Sequence, residues 1–294
     1  MATYGIGGNG DEEKQVTHMP HVEAGAVTLF AESFGNVEDP PLLLVGGLTN
    51  QLLVFPVEFC EAFVDRGFFV IRMDNRDVGL STKFPDGPEY TLSDMADDCV
   101  AVLQHFNLEK AHIFGVSMGG MIVQTLAIDH PEVVASLTSY ASTTGNRDVG
   151  QPSSEALEVL LLPEATTREE AISNGLACKR VWGTPDAWSE EEMAEYFGAL
   201  WDRAQSPGVG RRQMAAIGAS GNREADLAKL DVPTLVIHGS FDPLIPASGG
   251  VRTAEVIPGA TYVEIENMGH DIPITELPHV VQLVTNHAAA AGGA

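Results

Sequence analysis

Basic residues are scarce in this sequence. Of its 294 residues, 16 are Lys or Arg and 41 are Asp or Glu, which gives a formal net charge of −25. Such a chain repels nucleic acids, anionic membranes and phosphate-rich ligands, so these partners are excluded from the expected function. The excess of acid indicates either a surface adapted to high salt or simple solubility, and both explanations stay open.

Cysteine is also rare, with three residues in the chain. Three thiols cannot all pair, and the spacing of Cys60, Cys99 and Cys178 matches no zinc-binding pattern. Because Cys60 and Cys99 fall within helix-like patterns, we expect buried, unreactive thiols. No nucleotide motif is evident either, so we expect a protein that needs no cofactor and no metal.

Two further absences concern targeting. No apolar run approaches the roughly 20 residues that a membrane-spanning helix needs. The first ten residues have neither the basic start nor the apolar stretch of a signal peptide. We therefore expect a cytoplasmic protein whose residues 1–17 form a flexible, glycine-rich lead. A monomer or homodimer is the default expectation for its oligomeric state.

Short apolar runs alternate with helical patterns along most of the chain. Unbroken runs such as Leu42-Leu43-Leu44-Val45 are typical of strands that are buried on both faces. The strand–helix–strand rhythm predicts an α/β protein with a doubly wound, mostly parallel sheet. From about residue 145 to 226 the strand patterns stop, and helices with N-terminal capping signals replace them. This predicts a core over residues 18–144 and 227–294, with a helical lid inserted over residues 145–226.

The most informative motif is Gly115-Val116-Ser117-Met118-Gly119. An apolar strand pattern precedes it and a helical pattern follows it, which is the arrangement of a nucleophile elbow. The glycines allow a turn so tight that the serine hydroxyl stands clear of the backbone. The motif therefore predicts that Ser117 is the nucleophile of a serine hydrolase.

A serine hydroxyl needs a base to accept its proton, and that base needs a carboxylate to orient it. In this type of sheet the chain order is Ser, acid, His, with each residue in a loop after a strand. Asp242 follows the strand pattern that ends at Ile237, and His270 follows the one that ends at Ile265. These residues are the predicted acid and base. The adjacent Asp271 would reach the histidine ring only with strained geometry.

The tetrahedral intermediate of acyl transfer needs two backbone N–H donors, which form an oxyanion hole. Met118, the residue after the nucleophile, is expected to supply one donor at the start of the following helix. The second donor is expected from the glycine-rich loop after the strand Leu42–Val45. In that loop Leu48 is the first choice and Gly47 is the second.

These residues together make the chain similar to the α/β-hydrolase superfamily, from about residue 18 to residue 286. Within it, the chain resembles the lidded esterase group that contains aclacinomycin methylesterase, through the motifs strand–Gly-Gly, Asn-Arg-Asp, Gly-x-Ser-Met-Gly and Met-Gly-His. The resemblance implies an eight-stranded sheet and assigns Asp74 and Arg76 to an ion pair or loop brace. Serine at position 117 argues against dehalogenases and epoxide hydrolases, which would have aspartate there.

The expected function is hydrolysis of a carboxylic ester of a small or medium apolar molecule through an acyl-enzyme intermediate. Hydrolysis of an amide, as in iminopeptidases, or of a carbon–carbon bond would use the same residues, and both stay open at this point. A ligand receptor with negligible turnover is the alternative from another class.

All three tryptophans fall in the predicted lid. These residues and one phenylalanine are the predicted lining of an apolar substrate pocket: Trp182, Trp188, Phe197 and Trp201. Seating the lid on the core is the competing explanation for them. The Arg211-Arg212 pair is expected to be solvated rather than to bind a substrate carboxylate.

Overall fold

The computed structural model describes residues 18–84 and 89–292. Eight strands lie in these residues: β1 (His21–Ala24), β2 (Val27–Phe34), β3 (Pro41–Val45), β4 (Phe69–Asp74), β5 (Ala111–Val116), β6 (Val134–Tyr140), β7 (Thr234–Gly239) and β8 (Thr261–Ile265). They form one sheet in the order β1-β2-β4-β3-β5-β6-β7-β8. β2 pairs antiparallel with β1 and β4, and the other neighbours are parallel. The expected eight-stranded, mostly parallel sheet is confirmed.

The helices of the described residues are α1 (Val57–Val64), α2 (Leu92–His105), α3 (Met118–Asp129), α4 (Ser154–Leu160), α5 (Arg168–Trp182), α6 (Glu190–Arg203), α7 (Val209–Ser220), α8 (Glu224–Leu227), α9 (Ser248–Val256) and α10 (Leu277–Gly292). Several begin at the capping residues that the sequence indicates. The Thr91 hydroxyl accepts from Asp94 N–H at the start of α2, and Thr167 and Ser189 cap α5 and α6 in the same way. None of these helices is long and apolar enough to cross a membrane.

Two hydrophobic clusters cover the two faces of the sheet. On one face, side chains of α2 and α3 pack with the sheet around Ile113 and Ile122. On the other face, α1 and α10 pack around Phe59, Phe114 and Val280. Because the central strands are covered on both faces, their residues must be apolar without alternation. This explains why the sequence shows unbroken apolar runs and confirms the doubly wound arrangement.

Helices α4 to α7, which we call the inserted helices, lie between β6 and β7 in the chain. The short α8 packs against α3 and α9 of the core. A lid over residues 145–226 stays a prediction, and the predicted lead of residues 1–17 lies outside the described residues. Cys60 and Cys99 are buried and all three cysteines are free, as expected.

Candidate active site

Ser117 lies in a strained turn between β5 and α3. Its φ of 57° and ψ of −119° belong to a region that residues other than glycine rarely adopt. The motif glycines permit this turn, because a Cβ on Gly115 would collide with the Gly119 carbonyl and a Cβ on Gly119 would collide with the Val45 carbonyl. The Ser117 N–H donates to Tyr140 O at 2.8 Å, which fixes the turn to β6. The nucleophile elbow expected from the motif is present.

The structure brings the three predicted catalytic side chains together. His270 Nε2 lies 2.9 Å from Ser117 Oγ, and His270 Nδ1 lies 2.6 Å from Asp242 Oδ2. These contacts join residues 153 and 28 positions apart in the chain. They meet because β5, β7 and β8 are parallel, so that the loops at their carboxyl ends share one edge of the sheet.

Backbone N–H groups of its own loop hold the Asp242 carboxylate in place by hydrogen bonds. Its Oδ1 accepts the Leu244 and Ile245 N–H groups, each at 2.9 Å. Burial alone would raise the pKa of the Asp242 carboxyl. The neighbouring His270 and hydrogen bonds from His238 and His270 outweigh burial and hold this pKa well below its usual range. The side chain is therefore a carboxylate at neutral pH, as an orienting partner of a histidine must be.

A second histidine adjoins this carboxylate. His238 is fully buried, and its Nε2 lies 2.6 Å from Ile245 O and 3.5 Å from Asp242 Oδ2. Because a carbonyl oxygen only accepts, Nε2 must carry the proton. His238 lies in β7, and nothing local in the sequence indicates its contact with the Asp242 loop.

The glycine-rich loop after β3 lies directly against the nucleophile. A Cβ placed on Gly47 would be 3.2 Å from Ser117 Cβ. The Gly47 N–H donates to Asn50 Oδ1 at 3.1 Å and is therefore engaged. The N–H groups of Leu48 and Met118, by contrast, have no hydrogen-bond acceptor within residues 18–84 and 89–292. This difference favours Leu48 over Gly47 as the partner of Met118 in an oxyanion hole.

Comparison with known proteins agrees with this geometry. A family model described as the alpha/beta hydrolase fold matches residues 40–277. The chain belongs to the α/β-hydrolase family. The fold and the family expected from the motifs are thus confirmed.

Two curated relatives match 90% of this chain. This chain is 31% identical over 293 residues to the rhodomycin D methylesterase DauP of Streptomyces sp. (strain C5), and the match covers 96% of that protein. It is 32% identical over 294 residues to the rhodomycin D methylesterase DnrP of Streptomyces peucetius, with the same coverage. These relatives confirm the resemblance to methylesterases of this fold.

A solved structure supports the fold alone. The meta-cleavage product hydrolase CumD from Pseudomonas fluorescens IP01 is similar to this chain, with a TM-score of 0.77 and 20% sequence identity. The match covers 94% of this chain and 98% of that chain. At this identity the likeness extends to the architecture and not to the reaction.

The inserted helices contact the loop that holds His270. The His270 N–H donates to Trp182 O at the end of α5, at 2.7 Å. The Asp271 carboxylate accepts the Thr184 N–H at 2.8 Å and forms an ion pair with Lys179. The Asp271 carboxylate therefore ties the His270 loop to the inserted helices, while the His270 ring faces Asp242.

The inserted helices also contact the other side of the site, through two arginines. Arg203 of α6 pairs with Asp74 at 2.8 Å, and Asp74 Oδ1 accepts the Leu52 N–H at 2.7 Å. Arg212 of α7 binds both carboxylate oxygens of Asp77, at 2.5 and 3.0 Å. The expectation that the Arg211-Arg212 pair is solvated is wrong for Arg212, because Asp77 attracts it into a buried position.

The loop after β4 is braced as expected, but with other partners. Asp74 and Arg76 do not pair with each other. Arg76 Nε lies 2.6 Å from Asp98 Oδ2, and its NH2 donates to Asp94 O at 2.8 Å. The brace on this side therefore runs to α2, while Asp74 faces the inserted helices.

The predicted pocket aromatics lie at intermediate burial in and between α5 and α6: Trp182, Trp188, Phe197 and Trp201. Phe197 occupies the space in which a Cβ of Gly175 would lie, so it packs α6 onto α5. The Lys179 ammonium lies 6.0 Å from the centre of the Trp188 ring. These contacts fit the seating role, and a substrate-lining role for the four residues stays a prediction.

Proposed function

We propose that this protein hydrolyses methyl esters of carboxylic acids, with Ser117 as nucleophile, His270 as general acid and base, and Asp242 as the carboxylate that orients it. The observation that carries the proposal is the continuous hydrogen-bonded chain Ser117–His270–Asp242, at 2.9 and 2.6 Å. The methyl ester is inferred from the two relatives, both named rhodomycin D methylesterase, that match 90% of the chain. A small-molecule substrate also agrees with the strongly acidic composition.

The first half of the reaction forms an acyl-enzyme. Ser117 Oγ attacks the ester carbonyl carbon while His270 Nε2 accepts the hydroxyl proton. The negative charge that develops on the carbonyl oxygen is stabilised by the N–H groups of Leu48 and Met118. When the carbon–oxygen bond to the methoxy group breaks, His270 returns its proton to that oxygen and methanol leaves. In the second half, His270 deprotonates a water molecule that attacks the acyl carbon, and Ser117 is released with the free acid.

The alternatives are distinguished by what the relatives act on. Amide and carbon–carbon hydrolysis would use the same three side chains, but both relatives that match 90% of the chain are methylesterases. Structural likeness to a meta-cleavage product hydrolase at 20% identity adds nothing on the bond cleaved. The cytoplasmic location, the monomeric or dimeric state and the pocket role of Trp182, Trp188, Phe197 and Trp201 stay predictions.

The test is release of methanol from a series of aliphatic and aromatic methyl esters. We expect steady turnover by the wild type and a loss of about 10⁴-fold or more in kcat for Ser117→Ala. The matched control is Ser154→Ala, which removes the same hydroxyl from an exposed serine at the start of α4. This control should retain turnover within about twofold of the wild type. Turnover by Ser117→Ala within tenfold of the wild type would contradict the proposal.

A further inference from the structure

One buried side chain of the inserted helices contacts the glycine-rich loop after β3, residues 46–51, which we call the oxyanion loop. Gln213 of α7 is fully buried, and its Oε1 accepts the Thr49 N–H at 2.7 Å. The two residues are 164 positions apart in the chain. Thr49 is the neighbour of Leu48, and its φ of 59° shows that the loop bends sharply here. Gln213 therefore fixes the backbone next to the proposed oxyanion donor.

The other half of the Gln213 amide has no partner. Within residues 18–84 and 89–292, no acceptor lies within hydrogen-bond distance of the buried Nε2. Exchanging the oxygen and nitrogen of the amide would not help, because Thr49 N–H is a donor and must face the oxygen. The N–H₂ group is thus the half of the amide without a partner. Buried donors without partners are rare and costly, and each one needs an explanation.

The loop that holds the Gln213 amide lies beside Ser117. The loop that Gln213 contacts lies against the nucleophile, since a Cβ on Gly47 would be 3.2 Å from Ser117 Cβ. The helix passes close to the loop as well, because a Cβ on Gly210 would be 3.7 Å from Thr49 Cγ2. The Gln213 amide oxygen therefore binds the loop one residue beyond the Leu48 donor.

We propose that Gln213 determines specificity by joining the substrate to the oxyanion loop: its Oε1 holds Thr49 N–H, and its Nε2 donates to an oxygen on the acyl part of the substrate. This inference rests on the proposed ester hydrolysis. A neutral amide suits an uncharged acceptor, such as a hydroxyl or keto oxygen. The separation from Leu48 suits an oxygen on the β-carbon of the acyl group. The favoured substrates are therefore methyl esters with a β-oxygen.

The experiment compares two esters that differ in this oxygen, a methyl 3-hydroxyalkanoate and the methyl alkanoate of equal chain length. The readout is the ratio of their kcat/KM values. A structural defect, or a change in the amount of folded protein, affects both esters and leaves the ratio unchanged. We expect a ratio of about 10 in the wild type, which is the contribution of one hydrogen bond to a neutral acceptor.

Two substitutions of Gln213 and one control complete the design. Gln213→Met removes both hydrogen bonds, whereas the carboxylate of Gln213→Glu keeps an acceptor for Thr49 but has no N–H to donate. Both should lower the ratio to about 1. The control, Gln104→Met, makes the same change at an exposed position in α2 and should keep the wild-type ratio.

Each outcome bears on the inference. A wild-type ratio near 1, or a ratio that Gln213→Met leaves unchanged, would show that Nε2 meets water and not substrate. If hydrolysis of both esters still depends on Ser117 in that case, the esterase stands and the specificity role falls. If the wild type hydrolyses neither ester faster than Ser117→Ala does, the proposed function and this inference both fall.

Discussion

The ion pair between Arg212 and Asp77 offers a direct test of how the inserted helices are held. The Arg212 side chain is 4% exposed and that of Asp77 is fully buried. Replacing Arg212 by Met keeps much of its apolar length but leaves the Asp77 carboxylate without its cation. Among the residues that the structure describes, Asp77 then keeps the hydrogen bonds from the Tyr90 hydroxyl and the Phe84 N–H, each at 3.1 Å.

The magnitude follows from burial. Removing one partner of a buried ion pair costs about 3–5 kcal/mol, because the remaining charge stays out of water. The two remaining donors moderate this cost, so we expect a loss of about 3 kcal/mol in the free energy of unfolding. For a chain of 294 residues, such a loss lowers Tm by about 5 °C.

Tryptophan emission during urea unfolding is the suitable assay. All three tryptophans lie in or between α5 and α6, so their emission reports on the inserted helices rather than on the sheet. The matched control is Arg211→Met, the same substitution at the exposed neighbouring residue. It should change the free energy of unfolding by less than about 0.5 kcal/mol. Equal shifts for the two variants, or a loss below about 1 kcal/mol for Arg212→Met, would refute this reasoning.

Three further predictions concern titratable groups. Asp242→Asn should lower kcat about 10⁴-fold, because an amide stabilises the wrong histidine tautomer. The pKa of Asp242 lies below its unfolded value of about 3.9, so the carboxylate contributes stability above that pH and this contribution is lost as pH falls through the folded pKa. Acid unfolding curves of Asp242→Asn should therefore decline less steeply below about pH 4 than those of the wild type. Burial raises the pKa of Cys60 to about 12 and that of Cys178 to about 11, and it raises the pKa of Cys99 further. A thiol reagent at pH 8 should thus label the unfolded chain rapidly and the folded chain slowly, and rapid labelling of the folded chain would contradict the burial argument.

The sheet, and the meeting of the three proposed catalytic side chains, could be predicted from sequence because their signals are local. A strand covered on both faces must be apolar throughout, and this marks β3, β5 and β7 directly. Ser117 and Asp242 follow two such strands, β5 and β7, and His270 follows the edge strand β8. Each of the three residues lies in a loop with glycine or proline. Parallel pairing then brings the three loops to one edge without any long-range information beyond the order of the strands.

The residues that sequence reasoning missed act across long separations. Gln213 contacts Thr49 over 164 positions and Arg212 contacts Asp77 over 135. No pattern around Arg212 distinguishes it from its exposed neighbour, because burial there depends on how α7 packs against the loop after β4. His238 lies four positions from Asp242, but its contact requires the turn that folds Ile245 back onto the end of β7.

These contacts join the inserted helices to both sides of the proposed catalytic site. At one side, the end of α5 accepts the backbone N–H of His270. At the other side, α7 accepts the N–H of Thr49, next to the Leu48 donor. Because catalysis depends on donors held within a fraction of an ångström of the reacting atoms, a shift of these helices must alter the position of the base and of the oxyanion loop together. Substitutions between the helices and these loops should therefore change kcat as well as substrate preference.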